Sequence, residues 1–168
     1  MNPRWSLKAN RLPAAVRDAL SLERGERVLA HATTRGGSYA AVTGTALYLP
    51  NADAGFRRLP WERIEHAQWK DGWLHVREVG GGGEHHVGLA EAGAVPEAVQ
   101  ERVTATIIFS QHGALPGGGG VRIVGRRSPG GGEPRWTFVF DSGLDPSDPG
   151  LRAQAEQLLE NLRRQTGL

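Results

Sequence analysis

At 168 residues, with a formal charge of +2, 24 glycines and no cysteine, the chain is long enough for one domain that buries roughly 70% of its unfolded surface. The lack of cysteine excludes disulfides, thiolate metal sites and a cysteine nucleophile. All but two of its 20 basic residues are arginine, but they alternate with 18 acids, so no basic block marks a nucleic-acid partner.

The opening residues Met1 to Lys8 carry no apolar core of a signal peptide, and no run of about 18 apolar residues follows anywhere. A soluble, cytoplasmic protein without a transmembrane segment is the expectation. Pro13 to Leu20 reads as a short helix with Val16, Ala19 and Leu20 on one side. From Glu26 the period changes to two. Val28 to Thr33 reads as a strand ending at Arg35-Gly36-Gly37, and Ser38 to Val42 with Thr45 to Leu49 as a hairpin about Thr43-Gly44. Phe56 to Leu59 is a short strand, and Pro60 places it at an edge or a bend.

Asp71-Gly72 lies between two alternating runs and signals a two-residue hairpin, because a type I′ turn needs positive φ at both central positions. Counting outward, Lys70 opposes Trp73, Trp69 opposes Leu74, Gln68 opposes His75, Ala67 opposes Val76 and His66 opposes Arg77. One face then carries Trp69, Leu74, Ala67 and Val76 and belongs to the core. The other carries His66, Gln68, Lys70, Trp73, His75 and Arg77 and meets water, a ligand or a partner.

Gly80 to Gly83 leads into a seventh strand, Glu84 to Leu89, and Pro96 opens a helix with Val95, Val99 and Val103 on one stripe. The β-branched run after Thr104 leaves open whether residues 104–112 stay helical or become a strand. Val121 to Arg126 and Arg135 to Phe140 form a second hairpin with Trp136, Phe138 and Phe140 on one face. Asp148-Pro149 starts a last helix bearing Leu151, Ala155, Leu158, Leu159 and Leu162, with Arg163 and Arg164 in its final turn. Seven short antiparallel strands within about 65 residues are the spacing of an up-and-down barrel or of two orthogonal sheets.

Several of these segments carry a resemblance. Gly25-Glu26-Arg27-Val28-Leu29, Val42-Thr43 with Leu47-Tyr48, Leu59-Pro60-Trp61-Glu62-Arg63-Ile64 with Trp69, and Leu74-His75-Val76 resemble the strand signatures of bacterial pleckstrin-homology-like (PH-like, GRAM-like) domains. The whole chain resembles small actinobacterial proteins that carry one. The resemblance implies a mainly β (α+β) fold, a seven-stranded, strongly bent antiparallel barrel closed by a helix over residues 24–107, used for binding rather than catalysis. Residues 1–23 then form an N-terminal helical segment, and residues 108–168 a C-terminal β-hairpin and amphipathic helix packed on the same unit. Where many eukaryotic PH domains hold an inositol lipid on a basic first hairpin loop, Thr33 to Ser38 offers only Arg35.

No motif for catalysis stands out. The glycine runs Gly80 to Gly83 and Gly117 to Gly120 lead into strands rather than a helix N-terminus, unlike phosphate cradles. His66 and His75 lie diagonally on one hairpin face, with His85 and His86 able to approach, but there is no His-Glu-x-x-His pattern. Ser110 and His112 share one side of a strand with no third group in the sequence to orient the base. The basic concentrations are Arg57, Arg58 and Arg63, and Arg122, Arg126, Arg127 and Arg135. Together with His66, Trp73, His75 and Arg77 they make the candidate binding surface. The expectation is a noncatalytic binding or scaffold module without a cofactor, docking another protein. The alternative is a peripheral-membrane or nucleic-acid accessory protein that meets anionic lipid or phosphate through arginine, and a histidine-metal enzyme comes third.

Overall fold

The computed structural model describes residues 11–168, so the opening residues read above for a signal peptide lie outside the described residues. Among the described residues the fold has ten strands in two antiparallel sheets and three α-helices. The first sheet has seven strands: β1 (Val28–Thr34), β2 (Tyr39–Thr43), β3 (Ala46–Pro50), β4 (Phe56–Pro60), β5 (Ile64–Lys70), β6 (Trp73–Glu78) and β7 (Glu84–Glu91). Their spatial order is β4-β3-β2-β1-β7-β6-β5.

The expected barrel does not close. β4 and β5 remain the two edges of the sheet. Pro60 ends β4 without an N–H to extend the ladder. A short helical turn, Trp61–Arg63, then redirects the chain, and α2 (Val95–Ala105) packs against that turn and against β5, β1 and β2. Apolar side chains, rather than a backbone ladder, join the two edges.

Helix α2 buries Val95, Val99 and Val103 on the concave face of the sheet among Leu47, Leu49, Leu59, Trp61, Ile64, Leu74 and Val76. The four-residue recurrence of valine puts one stripe on that core. β2 and β3 are buried on both faces, because α1 (Ala14–Leu20) covers the second face: Leu12 and Leu20 pack there with Ala41, Ala46 and Tyr48. Ala19, expected on the buried side of α1, is exposed. In a seven-residue helix, Val16 and Leu20, one turn apart, already fill the contact.

The open question over residues 104–112 resolves as a division: α2 continues through Ala105, and a strand begins at Ile107. β8 (Ile107–Ala114) joins β9 (Gly120–Arg126) and β10 (Arg135–Phe140), so the expected C-terminal hairpin is a three-stranded sheet in the order β10-β9-β8. Helix α3 (Pro149–Thr166) covers one face of it, packing Leu151, Ala155, Leu158, Leu159 and Leu162 against Val121, Ile123, Phe109, Trp136, Phe138 and Phe140. Asp148 caps α3 by accepting from the Gly150 N–H at 2.8 Å. Among the described residues no helix is long and apolar enough to cross a membrane.

Arg126 ties the second sheet to the first. Its guanidinium donates to the carbonyl of Val103 at 3.2 Å and the hydroxyl of Thr106 at 3.0 Å, both at the C-terminus of α2, and to the carbonyl of Glu65 at 2.9 Å. A cation at a helix C-terminus meets the negative end of the macrodipole and satisfies carbonyls that the helix leaves unpaired. Burial pushes the Arg126 pKa down, opposed by the Glu65 carboxylate, which raises it.

Candidate functional site

The hairpin register is the one that Asp71-Gly72 dictates. Asp71 and Gly72 have φ of 53° and 81°, as the I′ turn requires, and the pairs run from Lys70 with Trp73 through Trp69 with Leu74 to His66 with Arg77. On the inner face Leu74, Val76 and Ala67 are buried. Trp69 shares that face, yet it is 38% exposed, which corrects its expected core position. Helix α2 reaches over Ala67 and Leu74 but stops short of the hairpin end, so Trp69 walls a groove of about 510 Å³ together with Pro96, Val99 and Gln100.

The outer face of β5, β6 and β7 gathers most of the singled-out side chains in three rows: Lys70, Trp73 and Gly88; Gln68, His75 and His86; His66, Arg77 and Glu84. In the first row Trp73 is 39% exposed. Arg35, from the turn between β1 and β2, crosses the sheet toward it, its backbone N–H bonded to the Gly88 carbonyl at 2.8 Å. Its guanidinium carbon lies 5.1 Å from the Trp73 ring centroid, within cation–π range. A side chain at either glycine beneath would collide with it: a Cβ on Gly88 would sit 2.9 Å from Arg35 Cδ, and one on Gly72 would overlap its Nη2.

In the second row the imidazoles of His75 and His86 meet edge to face with Nδ1 atoms 2.6 Å apart. His86 Nε2 lies 3.8 Å from a Glu84 carboxylate oxygen. The third row bounds a shallow depression of about 330 Å³ that also touches His75 and His86. Arg77 is engaged there, donating to Glu65 at 3.0 Å. His85 points the other way, into a pair with the buried carboxylate of Glu78 at 3.0 Å, as alternation along a strand requires.

The arginines do not form one patch. Arg57 and Arg63 are exposed near the β4 edge, and Arg122, Arg127 and Arg135 are exposed on the second sheet. Arg126 is buried and bonded, so it belongs to the scaffold and not to the surface on which its charge suggested it. Arg58 is also engaged, reaching the Tyr48 hydroxyl, Thr45 and Glu23. Those bonds are part of a buried polar cluster around Glu26, whose side chain is only 3% exposed. Its carboxylate accepts from Thr43, from Thr45 and Tyr48 at 2.7 Å each, and from the Glu23 N–H at 2.9 Å.

Asp141 supplies the third group that the sequence did not offer beside Ser110 and His112: His112 Nε2 lies 2.9 Å from its carboxylate. The arrangement sits on an exposed sheet, however, and the Ser110 hydroxyl accepts from Arg122 at 3.3 Å. A further depression of about 580 Å³ beside β1 is lined by Arg17, Leu29, His31, Tyr39 and Glu91. Among the described residues no three histidine or acidic side chains are grouped to hold a metal ion.

Reasoning from sequence located His66, Trp73, His75 and Arg77 on one face and left both His85 and His86 able to approach, but did not place Arg35 or Glu84 there. The β1–β2 turn and the glycine loop of residues 80–83 bring them in, and only the register across that loop could have revealed them. Comparison with protein-family models, curated proteins and solved structures finds no match to this chain.

Proposed function

We propose that this chain is a noncatalytic binding or scaffold module of PH-like architecture, docking another protein on the outer face of β5, β6 and β7 with Trp73 as its anchor. Seven antiparallel strands followed by one helix agree with the order of elements that the resemblance implies. The observation that carries the docking reading is the Arg35–Trp73 stack across Gly88. It holds a large amphipathic ring half-exposed and in one orientation. Tryptophan and arginine are the residues that most often dominate interface energetics, and an anchor fixed before binding loses little entropy when it docks.

Dispersed chemistry supports a noncatalytic reading. Glu65 is paired with Arg77 and Glu78 with His85, while Ser110 and His112 lie on the other sheet, each with a partner of its own. Dispersed arginine likewise favours a protein partner over a polyanion, because counterion release rewards many cations along one track.

The test is affinity capture on the wild-type chain at about 150 mM salt, where exposed charges are screened beyond ~8 Å, with the captured protein identified and its binding then measured in purified form. The expected result is a stoichiometric partner that Trp73→Ala or Arg35→Ala loses and that an Arg122→Gln, Arg127→Gln, Arg135→Gln triple variant keeps. Tight binding to phosphatidylserine vesicles or duplex DNA, steep in salt and lost from the triple variant, would replace the reading with the membrane or nucleic-acid alternative.

A further inference from the structure

The structure assigns a second property to the same face: we infer that His75 and His86 form a two-imidazole site for a divalent transition metal of the Ni²⁺, Cu²⁺ or Zn²⁺ type. The inference goes beyond the docking reading and does not depend on it. It rests on the arrangement of two rings and one carboxylate.

His75 and His86 are direct partners across β6 and β7, so the sheet holds their Cβ atoms together and their convergence is not a chance of long side chains. Both present Nδ1 to the same point, 2.6 Å apart. Two nitrogens so placed cannot both carry a hydrogen there; one donates to the other's lone pair, and a single proton occupies the point to which both are aimed. A metal ion can take that point once the shared proton moves, through water, to the Nε2 of the ring that held it, so that both imidazoles bind neutral through Nδ1. With metal–nitrogen bonds of 2.0–2.1 Å, two ligands at right-angle to tetrahedral geometry stand about 2.9–3.4 Å apart. The pair reaches this by opening about 0.3–0.8 Å, a side-chain rotation on a face where His86 is exposed and no other side chain separates the rings.

Glu84 is an independent sign. Metal-binding histidines characteristically direct their second ring nitrogen to a carboxylate, which fixes the tautomer and strengthens the ligand. If His86 binds through Nδ1, its Nε2 is the free nitrogen, and that atom lies 3.8 Å from Glu84, outside hydrogen-bond range but within a small rotation of this exposed carboxylate. Lys70, Arg77 and Arg35 share the face and oppose a cation, but Arg77 is neutralised by Glu65, the Arg35 guanidinium is turned onto the Trp73 ring, and Lys70 is exposed and water-screened. Imidazole donors select nickel, copper and zinc over magnesium and calcium, which prefer oxygen. Two protein ligands leave the remaining positions to water or to a donor from a docked molecule, so the isolated chain binds more weakly than a site with three or four protein ligands.

The experiment is calorimetric titration of the full chain with Ni²⁺ and Zn²⁺ separately, repeated with Mg²⁺, alongside Cu²⁺ electron paramagnetic resonance to count nitrogen ligands. Expected are one equivalent of Ni²⁺ or Zn²⁺ bound, no Mg²⁺ uptake, and a Cu²⁺ spectrum with nitrogen ligands. His75→Gln and His86→Gln each abolish the site while keeping the wild-type circular dichroism spectrum, His31→Gln and His112→Gln leave it intact, and Glu84→Gln weakens it by roughly tenfold. Absence of uptake by the wild-type chain, or uptake unchanged in the His75→Gln, His86→Gln double variant, overturns the inference. Neither result touches the docking reading, since no partner is present in the titration.

Discussion

Tyr48 donates to Glu26 at 2.7 Å, and that shared bond displaces the two groups in opposite directions. Burial raises the Glu26 pKa, but hydrogen bonds from Thr43, Thr45, the Glu23 N–H and Tyr48 outweigh it and bring it down from 4.5 to about 2. For Tyr48, burial and the bond to that carboxylate push the phenol up from 10.0 to about 12. A carboxylate whose folded pKa is depressed contributes stability that is present above its unfolded pKa and lost as pH falls through the folded one. Glu26 therefore stabilises the fold above pH 4.5 and ceases to do so toward pH 2. Glu26→Gln, which keeps the shape but replaces an acceptor oxygen with a donor, is expected to cost roughly 1 to 3 kcal/mol at neutral pH. Denaturant unfolding of both chains at intervals from pH 7 to pH 2 checks it, the difference narrowing over the acid part of that range. A constant difference would show that ionisation of Glu26 plays no part.

The phenol gives a separate readout at the alkaline end. Stability from a raised phenol pKa is present below 10 and lost as pH rises through about 12. Tyr48→Phe should be less stable at neutral pH by about 1.5 to 3 kcal/mol, the net worth of one hydrogen bond to a charged group. Ultraviolet titration should show one of the two tyrosines ionising only near pH 12 in the folded chain, and that late phase should vanish in Tyr48→Phe.

Arg126 and Arg127 are neighbours in sequence with opposite roles. Arg126→Met should cost roughly 1 to 3 kcal/mol, because it takes the Arg126 donor from the Glu65 carbonyl, whereas the Val103 carbonyl keeps the Thr106 hydroxyl. Arg126→Lys recovers only part, since an ammonium cannot span partners arranged for a planar fork. Arg127 is exposed, and Arg127→Gln should stay within about 0.5 kcal/mol of wild type. Thermal unfolding separates the two; equal effects would mean that Arg126 does not join the sheets.

These cases show what could be read in the residues themselves. The Asp71-Gly72 register, the valine stripe of α2 and the cap of α3 are local: turn chemistry and period determine them within a few residues. Trp69 and Arg126 were placed on the correct strands, but their burial depends on where another element ends. Helix α2 stops short of Trp69 and directs its C-terminus at Arg126, and neither distance is encoded near those residues. The His75–His86 pair was hidden for a related reason. Five residues, Val79 to Gly83, separate β6 from β7, and glycine in that number permits several registers, so alternation alone could not decide which of His85 and His86 faces outward.

The turn beneath Arg35 supports a prediction about strain. Gly72 has φ of 81°, where a β-branched residue is disfavoured, and Arg35 occupies the space its Cβ would need. Gly72→Val should lose at least about 1 kcal/mol and also dislodge Arg35 from Trp73. Arg35→Ala in the same background relieves the collision but not the backbone strain. The double variant should thus recover part of the loss by chemical denaturation, and no recovery at all would place the whole cost in the backbone.

Leu158 docks α3 over a residue without a side chain. A Cβ on Gly113 of β8 would lie 2.5 Å from Leu158 Cδ2, so the absence of a side chain there is what lets the helix approach the sheet. Leu158 and Leu159 are half-buried, and each Leu→Ala should cost about 1 to 3 kcal/mol, below the range for fully buried leucine. Gly113→Ala forces Leu158 aside and should be destabilising by itself. In a Leu158→Ala background the added methyl meets open space, and part of its cost disappears. The double-mutant cycle should therefore return a coupling of roughly 0.5 kcal/mol or more, whereas residues out of contact would add within about 0.3–0.5 kcal/mol. A chain ending at Pro146 tests the same contact globally. It uncovers Val121, Ile123 and the aromatic row of β10, and it should melt earlier and associate. If it stays monomeric with unchanged melting, and the cycle is additive, α3 is an appendage and the second sheet is stable through Arg126 and β8 alone.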